Sequence, residues 1–357
     1  MKQRITVCAM LLAAAFAAQA QTVVENFVPG STLEGISYFL PRTAVRITVT
    51  AQKTVTRPGD FNKYAERYLR LTGVPQAEST EWELLNVTME PFGKPDKEKA
   101  FSIKIKSKTV APLVGLSRDG LLLGINTEVE EEVLPPLPQG EKGPEPVNPR
   151  SFMTQEILAA GSTAKMAELC AQEIYDLRES RNALIKGEAD NTPKDGAQLK
   201  LMLEQLDQQT SALQSLFSGT KQTSTEVFSL IYDPTKETER DLLFRFSRKL
   251  GVVDADDLAG EPVYISVERM ESLPEAKPDE QTAKKKEKLE RGVFYNVPAR
   301  MKLTVTYGQK TLAGIETPMG QFGTVEILAN TLFDKKTTTR VTFFQSTGGT
   351  KDVMDNP

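Results

Sequence analysis

The sequence of 357 residues contains no histidine, and this absence removes several kinds of catalytic site. Ser-His-Asp triads and Cys-His dyads use an imidazole as the general base. The usual catalytic zinc sites also take histidine ligands. Any proton transfer by this chain would therefore have to use Asp, Glu, Lys or Tyr side chains.

Cysteine is almost as scarce, since Cys8 and Cys170 are the only two. Cys8 lies in an N-terminal apolar segment that we expect to be removed, which leaves Cys170 without a partner for an intramolecular disulfide. Cys170 falls on the apolar face of a predicted helix. That position favours a buried, unreactive thiol over a nucleophile.

The chain also lacks an excess of basic residues and any phosphate-binding loop. Its net charge is -4 with both signs interspersed, so we expect no nucleic-acid partner. Neither G-x-G-x-x-G nor G-x-x-x-x-G-K-[ST] occurs. Beyond the N-terminus, no stretch is long and apolar enough for a transmembrane helix. The sequence singles out no catalytic, cofactor-binding or metal-ligating residues.

The N-terminus has the order of a secretory signal peptide. Lys2 and Arg4 precede an apolar segment, and Ala18-Gln19-Ala20 supplies the small residues of a cleavage site. We expect cleavage near Ala20 and a periplasmic or secreted mature protein. Loss of Lys2 and Arg4 changes the net charge from -4 to -6.

Two distant stretches of the chain share a pattern. Residues 35–54 read GISYFLPRTAVRITVTAQKT, and residues 292–311 read GVFYNVPARMKLTVTYGQKT, with Gly, Tyr and Pro at the same spacing. Both then alternate apolar and polar residues, which predicts a half-buried strand that begins after a proline. We interpret the pair as two copies of a β module. The alternative is that one fold class uses similar strand starts twice.

The middle of the chain changes from a period of two to a helical period. Apolar residues at helical spacing predict one helix over about residues 152–186 and a second that ends near Phe217. Gly187 is placed to end the first helix, and Thr192 with Pro193 to begin the second. Two long helices joined by a short loop predict an antiparallel hairpin.

The predicted fold class is α+β, mainly β, with two antiparallel β modules flanking a long antiparallel helical hairpin. The predicted boundaries are a signal peptide at residues 1–20, an N-terminal β module with one short helix at 21–132, a Pro-rich linker at 133–150, the helical hairpin at 151–220, and a C-terminal β module at 221–357 with a charged insert at 273–291.

Two sets of residues are candidates for binding. Arg178, Arg181, Glu188 and Asp190 lie near the hairpin turn, either as a structural ion pair or as an interaction or anion site. Calcium is a further alternative for the two acids, although the spacing does not meet the EF-hand pattern. The second set is an aromatic platform for sugars. Its members are Tyr38, Tyr64, Tyr68 and Trp82, which could equally be core residues.

Three stretches together resemble one known family. They are residues 35–54, the segment FNKYAERYLRL and the hairpin from AGSTAKMAELCAQEIYDL to LKLMLEQLD. The resemblance is to an exported bacterial family of the domain of unknown function 4831 type. It implies export but no reaction, cofactor or catalytic residue.

From these features we expect a non-catalytic exported binding or scaffold protein of the cell envelope. It would act through protein–protein contacts of the helical hairpin with an envelope protein partner. The alternative is an envelope polysaccharide-binding protein or a carboxylate-based glycoside hydrolase.

Overall fold

The computed structural model describes residues 23–26, 35–104, 113–190, 193, 195–271, 292–328, 332 and 339–354. The expected signal peptide, the predicted helix cap Thr192 and the charged insert at 273–291 lie outside the described residues. Within them the chain is α+β and mainly β, with antiparallel sheets and a pair of long helices, which confirms the predicted fold class.

The strands belong to three sheets. They are β1 (Val23–Asn26), β2 (Ile36–Arg57), β3 (Ser79–Lys104), β4 (Val114–Leu116), β5 (Leu122–Ile125), β6 (Thr220–Tyr232), β7 (Thr238–Ser247), β8 (Gly251–Val253), β9 (Glu261–Arg269), β10 (Val293–Tyr307), β11 (Lys310–Leu328), β12 (Arg340–Phe343) and β13 (Thr350–Met354). The first sheet has the order β1-β3-β2-β6, the second β11-β10-β9-β7-β8, and the third β13-β12-β5-β4.

The first two sheets pack face to face on one apolar core. The alternation of apolar and polar residues turns one face of each strand inward. The first sheet contributes Val45, Ile47, Val49 and Val87, and the second contributes Phe246, Ile265, Met301, Leu303 and Val305. The predicted N-terminal and C-terminal β regions therefore form the two halves of one sandwich.

The third sheet closes one end of this sandwich over a second, smaller core. The core residues include Tyr38, Phe101, Leu122, Ile125, Val341 and Phe343. The rings of Phe101 and Phe294 stack there at 4.3 Å between centroids. Because β5 pairs with β12, this sheet also joins the two halves of the chain.

Strand β3 is longer than the sequence predicts. The sequence pattern predicts separate strands at 82–90 and 101–106, with the polar stretch PFGKPDKEKA between them, whereas β3 continues through that stretch. The reason is its partner: β2 pairs with β3 from Thr56↔Ser79 to Ile36↔Ile103, and this ladder satisfies the backbone of the intervening residues.

The two similar sequence stretches occupy similar places in the two sheets. Strand β2 lies between β3 and β6, and β10 lies between β11 and β9. Each pairs with the strand that follows it in sequence, and each ladder shifts register at its proline, between Phe39 and Pro41 and between Val297 and Ala299. These shared bulges favour the duplication interpretation. The third strands differ in chain order, because β6 follows β2 whereas β9 precedes β10.

The two proline bulges meet at a buried polar junction. The Thr43 N–H donates to Oε1 of Gln321, and the Thr43 carbonyl accepts from Nε2 of Gln321, both at 2.9 Å. The amide of Gln321 thus takes the place of a partner strand where β6 has ended. Nδ2 of buried Asn296 donates to the carbonyls of Pro41 and Thr347 at 2.9 and 2.8 Å. These contacts give hydrogen-bond partners to Thr43, which lies beyond the end of β6, and to the carbonyls of Pro41 and Thr347.

Glycines allow the C-terminal turn to approach this junction. A β-carbon on Gly348 would lie 2.7 Å from Cδ of Pro41, and one on Gly349 would lie 3.1 Å from Cδ of Pro298. Gly348 also has a φ of 74°, which glycine adopts without strain. The turn thus fits between the rings of both prolines.

The helices form a group with its own core. Its members are α1 (Ala65–Leu69), α2 (Gln155–Leu158), α3 (Thr163–Lys186) and α4 (Gly196–Ser218), with 3₁₀ turns at Asn62–Tyr64 and Pro149–Phe152. The end of α4 leads directly into β6 of the first sheet. The first long helix is shorter than predicted. The chain breaks between α2 and α3 because Ser162 caps α3 through the Lys165 N–H and adopts an extended conformation.

The second long helix also begins later than the sequence pattern predicts. It begins at Gly196, and Asp195 caps it by accepting a hydrogen bond from the Ala197 N–H. Gly187 ends α3 in the left-handed conformation, as its position predicts.

The Pro-rich segment at 133–150 is mostly exposed, but it is fastened to the first sheet. The Thr225 N–H donates to the Glu141 carbonyl at 2.7 Å, and the Gly143 N–H donates to the Thr223 carbonyl at 2.9 Å. Arg46 donates to the Pro135 carbonyl at 2.6 Å. The segment therefore covers part of the outer edge of β6, which shields that edge from other strands.

Replacing the glutamine of the junction tests its contribution to stability. Gln321→Ala leaves the Thr43 N–H and carbonyl without partners, and we expect the free energy of unfolding to fall by about 2–4 kcal/mol. Urea unfolding followed by circular dichroism measures the change. Gln309→Ala, in the exposed turn between β10 and β11, is the control and should alter the value by less than about 0.5 kcal/mol. Equal effects of the two substitutions would contradict the role of the junction.

Candidate binding site on the helical hairpin

The base of the hairpin is well buried. Cys170 and Ile174 of α3 and Leu213 and Phe217 of α4 pack with Phe61. The Phe61 N–H donates to the Leu216 carbonyl at 2.7 Å, and the Tyr175 hydroxyl donates to the Tyr68 carbonyl at 2.9 Å. These contacts fix the hairpin to the segment around α1.

The distal half of the hairpin comprises residues 177–190 of α3 and its turn and residues 195–206 of α4. No third element from the described part of the chain packs on it. Leu203 and Leu206 are only half-buried there. Leu201 is 57% exposed, Ile185 54% and Met202 40%. Two helices alone cannot cover apolar side chains that extend around more than one face. The distal half therefore presents apolar surface to solvent.

A groove of about 740 Å³ lies between the helices in this distal half. Its walls are Ser180, Ala183, Leu184, Leu201, Met202, Gln205 and Leu206, and the turn adds Glu188, Ala189 and Asp190. Among the described residues of the lining there are two carboxylates and no basic side chain. We call this the hairpin groove.

The structure separates the four candidate residues near the turn into two pairs. Nε of Arg181 lies 2.6 Å from Oδ1 of Asp207, and Arg178 donates to Oε1 of Gln214 at 3.0 Å. Both arginines thus join α3 to α4, which is the structural interpretation of these residues. Glu188 and Asp190 instead border the hairpin groove. The Arg181 pair is largely exposed, so its contribution to stability is small.

The structure places the four candidate aromatic residues in three different clusters. Tyr38 is fully buried in the small core under the third sheet. Tyr64 and Tyr68 pack together against the helical core, at 6.1 Å between ring centroids. Trp82 belongs to the core of the sandwich and is 8% exposed. They do not form one platform.

Cys170 lies in the helical core. Burial raises the pKa of its thiol to about 12, and the Glu173 carboxylate acts in the same direction. The thiolate is the reactive form of cysteine. The buried position therefore makes this thiol a poor nucleophile at neutral pH.

Leu201 and Met202 are the residues that the sequence interpretation misses. Met202 belongs to the predicted apolar face of the second helix, where it would be a core residue. It is exposed, because none of the elements that the structure describes covers that face. The width of the apolar stripe from Leu199 to Leu206 exceeds what one partner helix can bury. The width of this stripe is the feature of the sequence from which exposed apolar residues could have been predicted.

Two searches of the described residues gave negative results. Among them, no helix is long and apolar enough to cross a membrane. In the same part of the chain, no group of three or more Cys, Asp or Glu side chains is arranged to hold a metal ion.

Comparison with known proteins gave one match. A family model described as "Domain of unknown function (DUF4831)" matches residues 34–351. No curated protein and no solved structure matches the chain.

The burial of Cys170 predicts slow reaction with thiol reagents. At pH 8 we expect a thiolate fraction about a thousandfold below that of an ordinary cysteine, because the pKa is raised. Labelling by a chromogenic disulfide in a Cys8→Ser protein, native and in denaturant, measures the rate. The control is an exposed thiol, Gln208→Cys in a Cys8→Ser, Cys170→Ala background. If the two native proteins react at similar rates, Cys170 is accessible and the assignment fails.

Proposed function

The chain belongs to the DUF4831 family, a domain of unknown function, and we propose that it is a non-catalytic binding protein of the cell envelope that acts through its hairpin groove. The proposal retains the expectation that the N-terminus is a signal peptide and that the protein works in the periplasm or outside the cell. The observation that carries it is the uncovered apolar surface of the distal hairpin.

The exposed apolar side chains support a binding role. Leu201, Met202 and Ile185 lie on one projecting pair of helices, whereas the base of the same pair is covered by α1 and α2. A projecting apolar surface of this kind is costly in water unless a partner covers it. The base of the hairpin is fixed by its packing on α1 and α2, which leaves the distal half as the accessible part.

The charge of the hairpin groove indicates the chemistry of the partner. Glu188 and Asp190 border an otherwise apolar or neutral lining. An amphipathic helix that fills the groove with apolar residues and places lysine or arginine beside these acids would satisfy both features. We therefore propose an envelope protein with such a helix as the partner.

The alternative of a polysaccharide-binding protein or glycoside hydrolase receives less support. Sugar platforms need an accessible aromatic face, and Tyr38 and Trp82 are buried while Tyr64 and Tyr68 lie against the helical core. These four aromatic residues therefore do not form a shared surface on which a sugar could bind.

Site-specific photocrosslinking in cells tests the proposal. A benzoylphenylalanine at position 201 replaces Leu201 in the groove, and the same residue at position 208 replaces exposed Gln208 of α4 outside it. We expect one protein to crosslink through position 201 and not through position 208. Mass spectrometry should place the crosslink on an amphipathic helix with basic residues.

A charge substitution provides the matched control. Leu201→Glu should abolish co-purification of the crosslinked protein, whereas Gln208→Glu, which adds the same charge elsewhere on α4, should not. Circular dichroism confirms that both variants are folded. The proposal fails if positions 201 and 208 give the same crosslinks, or if the crosslink joins two copies of this chain.

A further inference from the structure

The Pro-rich segment contains one stretch whose backbone shape is set by the sequence. Residues 134–138 read LPPLP, so every one of them either is a proline or precedes one. Proline fixes its own φ at about −65° and moves the residue before it into an extended conformation. The stretch is thereby restricted to backbone of the polyproline II kind. The structure assigns no helix, strand, turn or bend to it, and we call it the LPPLP segment.

The LPPLP segment is fastened to the protein on both sides. Before it, the Glu132 N–H donates to Oε1 of Gln345 at 2.7 Å. After it, the Glu141 N–H donates to Oγ1 of Thr225 at 2.7 Å. The segment is therefore ordered before any partner arrives, which lowers the entropic cost of binding it.

Between these two anchors the LPPLP segment is open to solvent. Pro135, Pro136, Leu137 and Pro138 are exposed, and only Leu134 is half-buried. Polyproline II repeats every three residues, so the rings of Pro135 and Pro138 lie on the same face. In the part of the chain that the structure describes, the Pro135 carbonyl is the only backbone group of the segment with a hydrogen-bond partner. The other carbonyls are available to donors of a partner.

Shielding of the β6 edge uses other residues of the Pro-rich segment. Glu141 and Gly143 form the backbone hydrogen bonds with β6. The hydrogen bond of the LPPLP segment goes instead to the side chain of Arg46 on β2. Edge shielding therefore does not explain why apolar Leu137 is held in solvent, where it is 43% exposed.

The sequence on either side of the LPPLP segment is acidic. Six acids and one base lie within residues 128–145: Glu128, Glu130, Glu131, Glu132, Glu141 and Glu145, with Lys142. Glu131 pairs with Arg118, and Glu132 pairs with Lys351. Within the described residues, the other four acids form no ion pair. A partner with lysine or arginine beside its binding groove would complement this charge.

We propose that the LPPLP segment is a ligand for a partner protein whose groove is lined by aromatic side chains and bordered by basic residues. Aromatic rings pack on proline rings in grooves of this kind. Tryptophan N–H and tyrosine O–H groups can donate to the exposed carbonyls. This contact is separate from the hairpin groove, because here the chain supplies the ligand and the partner supplies the groove.

Site-specific photocrosslinking in cells identifies the partner. A benzoylphenylalanine at position 139 replaces Gln139, the exposed residue that follows Pro138. We expect it to crosslink a protein other than this chain. Mass spectrometry should place the crosslink on a surface of that protein that carries tryptophan or tyrosine.

Two pairs of substitutions measure the role of the prolines, with the purified partner as the probe. Pro135→Ala with Pro138→Ala should weaken binding by at least about tenfold, because both rings on one face are lost. Pro144→Ala with Pro146→Ala removes two prolines of the same Pro-rich segment outside LPPLP, and it should change the Kd by less than about twofold. Urea unfolding of both variants checks that the sandwich is intact.

A synthetic peptide of residues 130–142 tests the segment without the rest of the fold. It should compete with the protein for the partner, and the same peptide with alanine at positions 135 and 138 should not. The proposal is overturned if no protein crosslinks through position 139, or if the crosslink joins two copies of this chain or lies away from aromatic residues. It is also overturned if the peptide does not compete, or if the two proline variants bind equally well.

Discussion

The polar junction between the two proline bulges is the contact on which the sandwich depends. Strand β6 ends before it reaches Thr43, and each long ladder shifts register at its proline, so the backbone there needs partners other than a neighbouring strand. Gln321 satisfies Thr43, and Asn296 satisfies Pro41 and the C-terminal turn. The same junction receives the turn between β12 and β13 of the third sheet, whose glycines lie against both prolines.

The hairpin groove follows from the lengths of the helices. Within the described residues the hairpin is packed only at its base, because α1 and α2 are too short to cover two helices of more than 20 residues each. The distal half of α3 and α4 therefore stays exposed.

The sequence predicts the elements that have a clear apolar period. It does not predict features that depend on contacts with residues distant in the chain. The apolar spacing predicts helices α3 and α4. The glycine at position 187 predicts the end of α3, because glycine adopts the left-handed conformation without strain. Strand β3 continues through PFGKPDKEKA because it pairs with β2 there. That stretch has no alternation of apolar and polar residues from which a strand could be predicted. The sequence also suggests separate β modules, because alternation shows which face of a strand is buried but not which sheet covers it. For the same reason, Met202 and Trp82 both look like core residues, although only Trp82 is buried and Met202 is exposed.

The pairing of β2 with β6 has a consequence for the order of folding. Arg57 pairs with Thr220, so the first sheet cannot be completed until the whole helical hairpin has been synthesised. The inner face of β2 and β3 also waits for β7, β9 and β10, which come later still. Such high contact order makes folding slow, and an incomplete chain keeps long apolar strands with free edges. During synthesis, the early strands β2 and β3 therefore need protection from aggregation until the last third of the sequence has been made.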